Sequence, residues 1–569
     1  MKPTIVTCLL FLFCLKQVNA QSILEAQKLT DNEQYENASS VYQALILKTP
    51  NDANLYYYYA DNLLLSDNAD SAGIVFDKGF SIDQLNPLIK IGKAKILLDN
   101  INVLDARASI EQDIANKELQ DRYEQTLMNI KNANALIDDA ILNTKDISVL
   151  VGAAEALIQY KNKNLDKAKP ILDKALALEP KNIRAILLYG DIYAELNNGT
   201  LAADYYNRAL DLNKTSARAL VSKGRLYKRS TNYDGAAREF QIAISVEPSY
   251  APAYRELGET YIKVGKLSQA KEEYKKYLEL SKNNCGARIR YATFLYVSKN
   301  FTEALTELDL VQQKCDSNNL RMLRIQSYCY YETKDSAKGR HTINKLFQLV
   351  SPEKRTAKDL EYFGRFLIDT EMDSLIQLGI EQLQKAVVLD PTRTDLLTDI
   401  ANAWSGLKQY PNSIKALTQK ISIGKDVKVQ DHLYLGQAYY FNKQFVEADS
   451  AVMKANIMSP NWARAWLYRA KINTHIDSTS ENGLAKPFYE KYIEIALPDS
   501  SKPDFVAKYN NGLIEAYGYL AYYYILKKDN ANGLIYLKKK LQLPLEEDDK
   551  KNVQKAVDQL EGRGPKPKK

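Results

Sequence analysis

The sequence predicts an all-α solenoid, built from about fourteen helical hairpins that stack side by side. Two observations predict this fold class. The first is a period of 34 residues that relates small and aromatic residues along the middle of the chain. The second is composition, because 45% of the 569 residues are hydrophobic and 26% are charged, which is too apolar for a disordered chain. A unit of this length cannot bury its apolar face alone, so neighbouring units must stack.

The period is carried by two pairs of positions, one pair on each helix of the hairpin. On the first helix they are Gly190, Gly224, Gly258 and Ala292, each followed three residues later by Tyr193, Tyr227, Tyr261 or Leu295. On the second helix they are Ala202, Ala236, Ala270 and Ala304, each followed four residues later by Tyr206, Phe240, Tyr274 or Leu308. A later copy has Gly436, Tyr439 and Ala448. Residues three or four apart share one helix face, so the small residue admits a neighbouring helix and the large one fills the space beside it.

These residues resemble the tetratricopeptide repeat, whose pattern is Leu-Gly-x-x-Tyr, then Ala-x-x-x-Phe, then Pro. The sharpest copy reads Leu257-Gly258-x-x-Tyr261 and Ala270-x-x-x-Tyr274. Proline cannot continue a helix, and the prolines that end second helices are Pro50, Pro180, Pro248, Pro391 and Pro460. The resemblance implies a right-handed superhelix whose first helices line a concave groove. In this family the groove commonly binds a peptide or a helix of another protein.

The first element of the chain, residues 1–20, is typical of a secretory signal peptide. Lys2 is its positive residue, residues 5–15 are its apolar core, and Val18-Asn19-Ala20 is a small-residue cleavage site. The core is shorter than the ~20 apolar residues that span a bilayer, so we expect cleavage after Ala20 rather than a membrane anchor. We also expect no later transmembrane segment. The product should be exported, periplasmic or associated with the outer membrane, and its composition resembles that of secreted Bacteroidota proteins.

The remaining segments of the chain are predicted from how closely each one matches the repeat pattern. We expect degenerate repeats over 21–118, an irregular helical segment over 119–148, a regular array over 149–352 and an array with insertions over 353–543. A capping helix over 544–561 would give the stack a polar outer face. The basic tail, 562–569, is rich in Gly, Pro and Lys and should be flexible.

Charged residues on the first helices, opposite the Gly and Tyr face, should line the groove. The basic candidates for groove binding are Arg184, Arg218, Arg225, Arg229 and Arg255. Arginine can pair with carboxylates through two hydrogen bonds, so one hypothesis is an acidic peptide in the groove. The alternative is that these are ordinary solvated charges that pair within the protein. Arg225 and Arg229 lie four residues apart and repel, so a counter-charge is expected nearby.

The family's carboxylate clamp is not expected. It uses Lys and Asn at set groove positions, and the matching positions read Leu187 with Asp191, and Val221 with Arg225. Recognition of chaperone tails is therefore not supported.

No catalytic, cofactor or metal site is expected either. His341, His432 and His475 are isolated and form no His-Glu-x-x-His pattern. The sequence has no Gly-x-Ser-x-Gly elbow and no phosphate-binding or dinucleotide-binding glycine loop. With 77 basic and 70 acidic side chains, the chain is too weakly basic to predict nucleic-acid binding. An enzyme with an unrecognised site is the least favoured of three interpretations of the function, and the other two are given below.

The cysteines leave two alternatives open. Cys285 starts a first helix and Cys315 ends the second helix of the same hairpin, so antiparallel packing would bring them together. An oxidising compartment would then favour a disulfide. The alternative is that these two and Cys329 are free thiols.

The 39 Tyr residues also have two interpretations. The run 56–59 must point all round one helix, and the cluster at 517–524 is similar, so some rings should lie outside the core. Exposed Tyr favours contact with a partner or a glycan, whereas buried Tyr would add packing between hairpins. The leading interpretation of the whole sequence is a non-catalytic protein–protein interaction scaffold or adaptor that binds a partner peptide or protein in its groove. The alternative is a glycan- or peptidoglycan-associated accessory protein of the outer membrane.

Overall fold

The computed structural model describes residues 22–99, 103, 107, 117–282, 284–315, 317–499, 501 and 504–563. The predicted signal peptide, 1–20, and residues 564–569 of the tail lie outside these residues. All regular structure in the described residues is helical, with 29 α-helices and two short 3₁₀ helices. Taken in order, the first 28 helices make fourteen consecutive pairs, which confirms the predicted all-α solenoid of hairpins.

The chain forms two compact units, Met1–Cys329 and Tyr330–Lys569. The helices of unit 1 are α1 (Ile23–Asp31), α2 (Tyr35–Lys48), α3 (Ala53–Leu65), α4 (Ala69–Ile82), α5 (Pro87–Leu98), α6 (Lys117–Ile141), α7 (Ile147–Gln159), α8 (Leu165–Leu178), α9 (Ile183–Glu195), α10 (Gly199–Leu212), α11 (Ala217–Arg229), α12 (Tyr233–Val246), α13 (Ala251–Lys263), α14 (Leu267–Leu280), α15 (Cys285–Val297) and α16 (Phe301–Lys314). The boundary between the units falls within α17 (Leu320–Glu332).

Unit 2 continues the same pattern with more variation in helix length. Its helices are α18 (Ser336–Leu349), α19 (Ala357–Ile368), α20 (Asp373–Leu389), α21 (Leu396–Gly406), α22 (Tyr410–Ile423), α23 (Val429–Phe441), α24 (Phe445–Met458), α25 (Ala463–Ile476), α26 (Lys486–Ala496), α27 (Phe505–Leu526), α28 (Asn530–Leu541) and α29 (Glu547–Leu560), with 3₁₀ helices at Pro352–Lys354 and Leu497–Asp499. The 3₁₀ helix before α19 and the 17-residue length of α20 interrupt the 34-residue register where the sequence has extra residues.

The two helices of each hairpin approach closely because a glycine faces a large side chain. A Cβ atom on Gly258 would lie 2.9 Å from Cδ2 of Tyr274. In three other hairpins, a Cβ on the equivalent glycine would overlap a side chain of the second helix. The pairs are Gly190 with Tyr206, Gly224 with Phe240 and Gly436 with Val452. The alanines of the second helices, Ala236, Ala270 and Ala448, are fully buried, Tyr261 is buried, and Tyr193, Tyr227 and Tyr439 are half-buried.

The turn inside each hairpin uses one residue in the left-handed backbone region. In four successive hairpins this residue is Asn197, Thr231, Gly265 and Lys299, with φ of +57°, +60°, +74° and +62°. The following second helix often begins with an asparagine cap, as where Asn198 Oδ1 accepts a hydrogen bond from the backbone N–H of Leu201. Glu33 and Asp67 occupy the same turn position in the first two hairpins.

The segment predicted as irregular, 119–148, contains the long helix α6, which packs against α5 as the second helix of the third hairpin. At the other end, α29 packs against α28 where a capping helix was expected. Among the described residues, no helix combines the length and the apolar character needed to cross a membrane.

Candidate functional site: the concave face of unit 1

First helices of unit 1 provide most of the lining of a half-open cavity of about 690 Å³. Its apolar wall consists of Leu24 on α1, Leu65 on α3, Leu88 on α5, and Ile147 and Val151 on α7. The same wall also has aromatic and polar groups, which belong to Tyr57, Tyr58, Asn62, Glu155 and Arg184. First helices therefore line this cavity, as the resemblance to the tetratricopeptide repeat implies.

A second cavity of about 210 Å³ shares part of this wall and extends to α11 and α13. Arg184, Arg218 and Arg225, three of the predicted groove arginines, line it. Leu187 and Asp191 also line it, at one pair of the positions where the carboxylate clamp is missing. Burial raises the pKa of Asp191, although the hydroxyl of Tyr206 donates a 2.7 Å hydrogen bond to it.

Each of the five predicted arginines has a carboxylate partner. The nearest N–O distances are 2.5 Å for Arg184 with Glu155, 3.6 Å for Arg218 with Asp31, 2.8 Å for Arg225 with Glu256, 2.8 Å for Arg229 with Glu195 and 2.9 Å for Arg255 with Glu259, and Arg255 also lies 3.1 Å from Glu33. Arg225 and Arg229 thus have the counter-charges that their mutual repulsion requires. An acidic ligand at these arginines would compete with carboxylates of the protein itself.

The side chain of Arg255 is much more buried than those of the other four arginines. The side chains of Arg184, Arg218, Arg225 and Arg229 are 40% to 49% exposed, so they remain partly accessible to solvent. The side chain of Arg255 is only 10% exposed, and it also pairs with Glu256 and Glu259. Arg255 therefore holds the protein together rather than facing a ligand.

Glu155 shows how these pairs keep charge inside the unit. Its side chain is 3% exposed, and Arg184 donates to both carboxylate oxygens, at 2.5 and 2.6 Å. Burial alone would raise the pKa of Glu155, but the positive charges of Arg184 and Lys95 outweigh burial and lower it. Glu155 is therefore ionised at neutral pH and holds Arg184 in a fixed orientation.

A small cleft beside the second cavity has an excess of positive charge. Arg225, Lys228, Arg229 and Lys263 line this space of about 280 Å³ together with Tyr233 and a single carboxylate, Glu259. We call these six residues the basic cleft. Lys263 is exposed and forms no ion pair with any described residue. The cleft lies at the C-terminal ends of α11 and α13, beside the start of α12.

The structure joins Cys285 and Cys315 by a disulfide, with their Cα atoms 6.4 Å apart. This bond ties the start of α15 to the end of α16 within one hairpin. Cys329 is a buried free cysteine.

The Tyr clusters divide between the core and the surface. Tyr56 and Tyr57 are buried, whereas Tyr58 and Tyr59 are half-buried, so part of the first cluster lies outside the core as expected. In the second cluster Tyr517 and Tyr519 are buried and Tyr522 is 54% exposed. No group of three or more His, Cys, Asp or Glu side chains with metal-site geometry occurs in the described part of the chain.

Two family models for the tetratricopeptide repeat match residues 159–226 and 221–284, the part of the chain that contains the basic cleft. The C-terminal part of a TPR repeat-containing protein from Cytophaga hutchinsonii, known as a crystal structure, is 32% identical to this chain. The match covers 98% of that chain and 47% of this one, with a TM-score of 0.42. This chain belongs to the tetratricopeptide repeat family. Tetratricopeptide repeats bind peptides or proteins, so the chain is a scaffold for protein–protein interaction.

Two further solved structures of tetratricopeptide repeat proteins are similar to this one. One comes from Parabacteroides merdae, at 17% identity over 45% of this chain and 98% of that chain, with a TM-score of 0.33. The other is YrrB, described as a TPR protein with an unusual peptide-binding site, at 19% identity over 31% of this chain and 91% of that chain, with a TM-score of 0.26. No curated protein sequence matches this chain.

The buried carboxylate partners of the arginines were not among the residues that the sequence singled out. Glu155, Glu256 and Glu33 are the most buried of them. A usable signal existed for the first two, because each lies about one repeat from its arginine, at 29 residues for Arg184 and 31 for Arg225. Glu33 gave no such signal, since 222 residues separate it from Arg255.

Proposed function

We propose that this tetratricopeptide repeat protein is an exported, non-catalytic scaffold of the bacterial periplasm or cell envelope that binds an acidic segment of a partner protein in its basic cleft. The observation that supports this site is the cluster of four cations that line the cleft, of which Lys263 forms no ion pair with any described residue and the other three pair with Glu195, Glu256 and Glu259. Long-range attraction would bring an acidic segment to such a surface, and bidentate bonds from arginine would fix its carboxylates.

The cleft is partly ordered before any partner arrives. Glu256 accepts from Arg225 at 2.8 Å, and Glu195 accepts from Arg229 at 2.8 Å. A guanidinium group has five N–H donors, so each arginine retains donors for a ligand. Because these side chains are already held, the cleft loses less side-chain entropy when a partner binds, which favours affinity. Competition from Glu195 and Glu259 opposes it, so we expect moderate affinity that falls as salt increases.

Export is supported by separate features of the chain. Residues 1–20 have the three parts of a signal peptide. A disulfide between Cys285 and Cys315 is typical of proteins in oxidising compartments. We expect the mature protein to begin at Gln21, which mass spectrometry of the envelope fraction would establish.

The cleft is tested with a fluorescein-labelled peptide of eight glutamates, whose binding to the full mature chain is followed by anisotropy at low salt. The test variant is Arg229→Glu with Lys263→Glu, because both side chains line the cleft and neither holds the buried Glu256. We expect the variant to weaken binding about tenfold or more, since each substitution replaces attraction by repulsion.

The matched control is Lys181→Glu with Lys214→Glu, which makes the same change of net charge at two exposed loop positions outside the cleft. The control should bind as the unmodified protein does. Equal loss in both variants would mean that net charge alone attracts the peptide, and the proposal would fail. Retention of the unmodified protein on peptidoglycan, without binding of the peptide, would favour the glycan-associated alternative.

A further inference from the structure

The loop between α1 and α2 contacts hairpins that lie far away along the chain. Arg255 Nη2 on α13 lies 3.1 Å from Oε1 of Glu33, and the hydroxyl of Tyr277 on α14 donates to Oε2 at 2.5 Å. The side-chain amide of Asn284, just before α15, donates to the backbone carbonyl of Glu33. Glu33 is only 8% exposed. One turn residue of the first hairpin is thus held by the seventh hairpin and by the residue that precedes the eighth.

Three weaker contacts lie on either side of this one. Oε1 of Glu36 accepts a 2.9 Å hydrogen bond from the backbone N–H of Cys285, at the first turn of α15. The other two contacts are ion pairs, 3.6 Å between Asp31 and Arg218 and 2.7 Å between Asp67 and Arg321. The first seven to eight hairpins therefore form one closed turn of the superhelix, in which the start of unit 1 touches its later hairpins.

The contacts that close this turn are polar, whereas the first hairpin has its apolar core elsewhere. Ala26, Ala38, Val41 and Tyr42 form that core, and Tyr58 and Tyr59 of the neighbouring α3 pack against it. Because apolar burial supplies most of the packing energy, the α1–α2 hairpin is anchored to its neighbour in sequence. Its described hydrogen bonds and ion pairs across the turn come from Asp31, Glu33 and Glu36, and they can break without exposing that core.

The hairpin also forms part of the wall of the larger cavity. Leu24, Gln27 and Lys28 of α1 line the space of about 690 Å³, opposite Ile147 and Val151 of α7. Leu24 is 75% exposed, so the apolar wall on this side is not covered by another helix. Movement of α1 and α2 away from α13–α15 would change the access to this cavity.

We propose that the α1–α2 hairpin is a latch, held by Glu33 on Arg255, Tyr277 and Asn284, whose release opens the turn of unit 1 and its larger cavity. The latch moves as a hairpin, because its own core and its packing on α3 remain intact when the polar contacts break. This inference does not depend on the basic cleft, and it adds a conformational step to the scaffold.

Hydrogen–deuterium exchange of the full mature chain tests the latch. In Glu33→Gln the carboxylate charge is lost and the size of the side chain is kept, and in Tyr277→Phe a single hydroxyl is lost. We expect amides in Ile23–Lys48 to exchange about tenfold faster in both variants, while amides of α9–α12 keep their rates, because local opening exposes only the released segment.

Glu25→Gln is the matched control, since it makes the same chemical change on an exposed residue of α1 that does not reach across the turn. Its exchange rates should equal those of the unmodified protein. Two results would overturn the proposal: unchanged rates for Ile23–Lys48 in both variants, or faster exchange that spreads equally through α9–α12. The second result would mean that the contact supports all of unit 1 and does not act as a latch.

Discussion

Glu33 and Arg255 lie 222 residues apart in the sequence, and their side chains form a nearly buried ion pair inside unit 1. The pair belongs to a network, because Arg255 Nη1 also lies 3.2 Å from Glu256 and 2.9 Å from Glu259. These two carboxylates hold Arg225 and Lys228 of the basic cleft. The contact that closes the turn is therefore linked to the cleft that we propose for binding through Glu256 and Glu259.

This network predicts that the arginine matters more to stability than the glutamate. Arg255→Gln would leave three carboxylates without this cation in a mostly buried site, and we expect a loss of about 3–5 kcal/mol in the free energy of unfolding. Glu33→Gln should cost only about 1 kcal/mol, since Arg255 keeps two partners. Urea unfolding followed by far-UV circular dichroism measures both.

The double variant provides the control for this prediction. Because the two residues contact each other, the combined loss should be smaller than the sum of the single losses. Trp404, Trp462 and Trp466 all lie in unit 2, so their emission distinguishes unfolding of unit 2 from unfolding of unit 1. Additive losses would mean that Glu33 and Arg255 act independently, contrary to the geometry.

The hairpins themselves could be predicted from the sequence because their packing is local and periodic. The spacing of Gly224, Ala236 and Phe240 places two helices in contact, and the structure buries all three residues. The pairing of Arg184 with Glu155 was within reach of the same reasoning, since neighbouring first helices bring residues about one repeat apart together. What the pattern predicts well is the contact between a hairpin and its neighbour.

The closed turn could not be predicted in this way. Contact between Glu33 and Arg255 depends on the small rotation between successive hairpins, added up over seven of them. No motif encodes that sum, and a change of a few degrees per hairpin would separate the two residues. The exposed fractions of the arginines follow from the same curvature, so the sequence alone could not separate Arg255 from Arg225.

Unit 2 contains a buried ion pair that should make it sensitive to acid. Lys420 Nζ lies 2.8 Å from Oδ2 of Asp431, and the two side chains are 3% and 1% exposed. Burial alone would raise the pKa of Asp431. Hydrogen bonds from Lys420, from the backbone N–H of Lys428 and from Thr398, together with the charge of Lys420, outweigh burial and lower the pKa below its usual value.

A lowered pKa in the folded state fixes the direction of the effect. The stabilisation is fully present above the unfolded pKa of about 3.9 and is lost as pH falls through the lower folded pKa. We expect the urea midpoint of unit 2, followed by Trp emission, to fall steeply between about pH 4 and pH 2. Asp431→Asn should lower the midpoint at pH 7 already, because Lys420 is then buried without a counter-charge, and should flatten the decline below pH 4. A decline of equal steepness in the variant would assign the acid sensitivity to other carboxylates.

The left-handed turn residues allow a test of backbone strain with a control in the neighbouring hairpin. Thr231 has φ of +60°, which is unfavourable for a β-branched residue, and Gly265 occupies the same position 34 residues later with φ of +74°. Thr231 is exposed, and no atom lies within 4 Å of where a Cβ of Gly265 would stand, so packing contributes little at either site.

Thr231→Gly should therefore stabilise unit 1 by about 1 kcal/mol, because glycine adopts this conformation without steric cost. Gly265→Thr should destabilise it by a similar amount, since it introduces at one turn the strain that the first variant removes from the other. Urea unfolding by far-UV circular dichroism gives both values. The free energy of unfolding of the double variant should be close to that of the unmodified protein, because the sites lie in separate hairpins and their effects add. If Thr231→Gly were destabilising, the entropy that glycine adds to the unfolded chain would outweigh the relief of strain, and the left-handed position would not limit the stability of these hairpins.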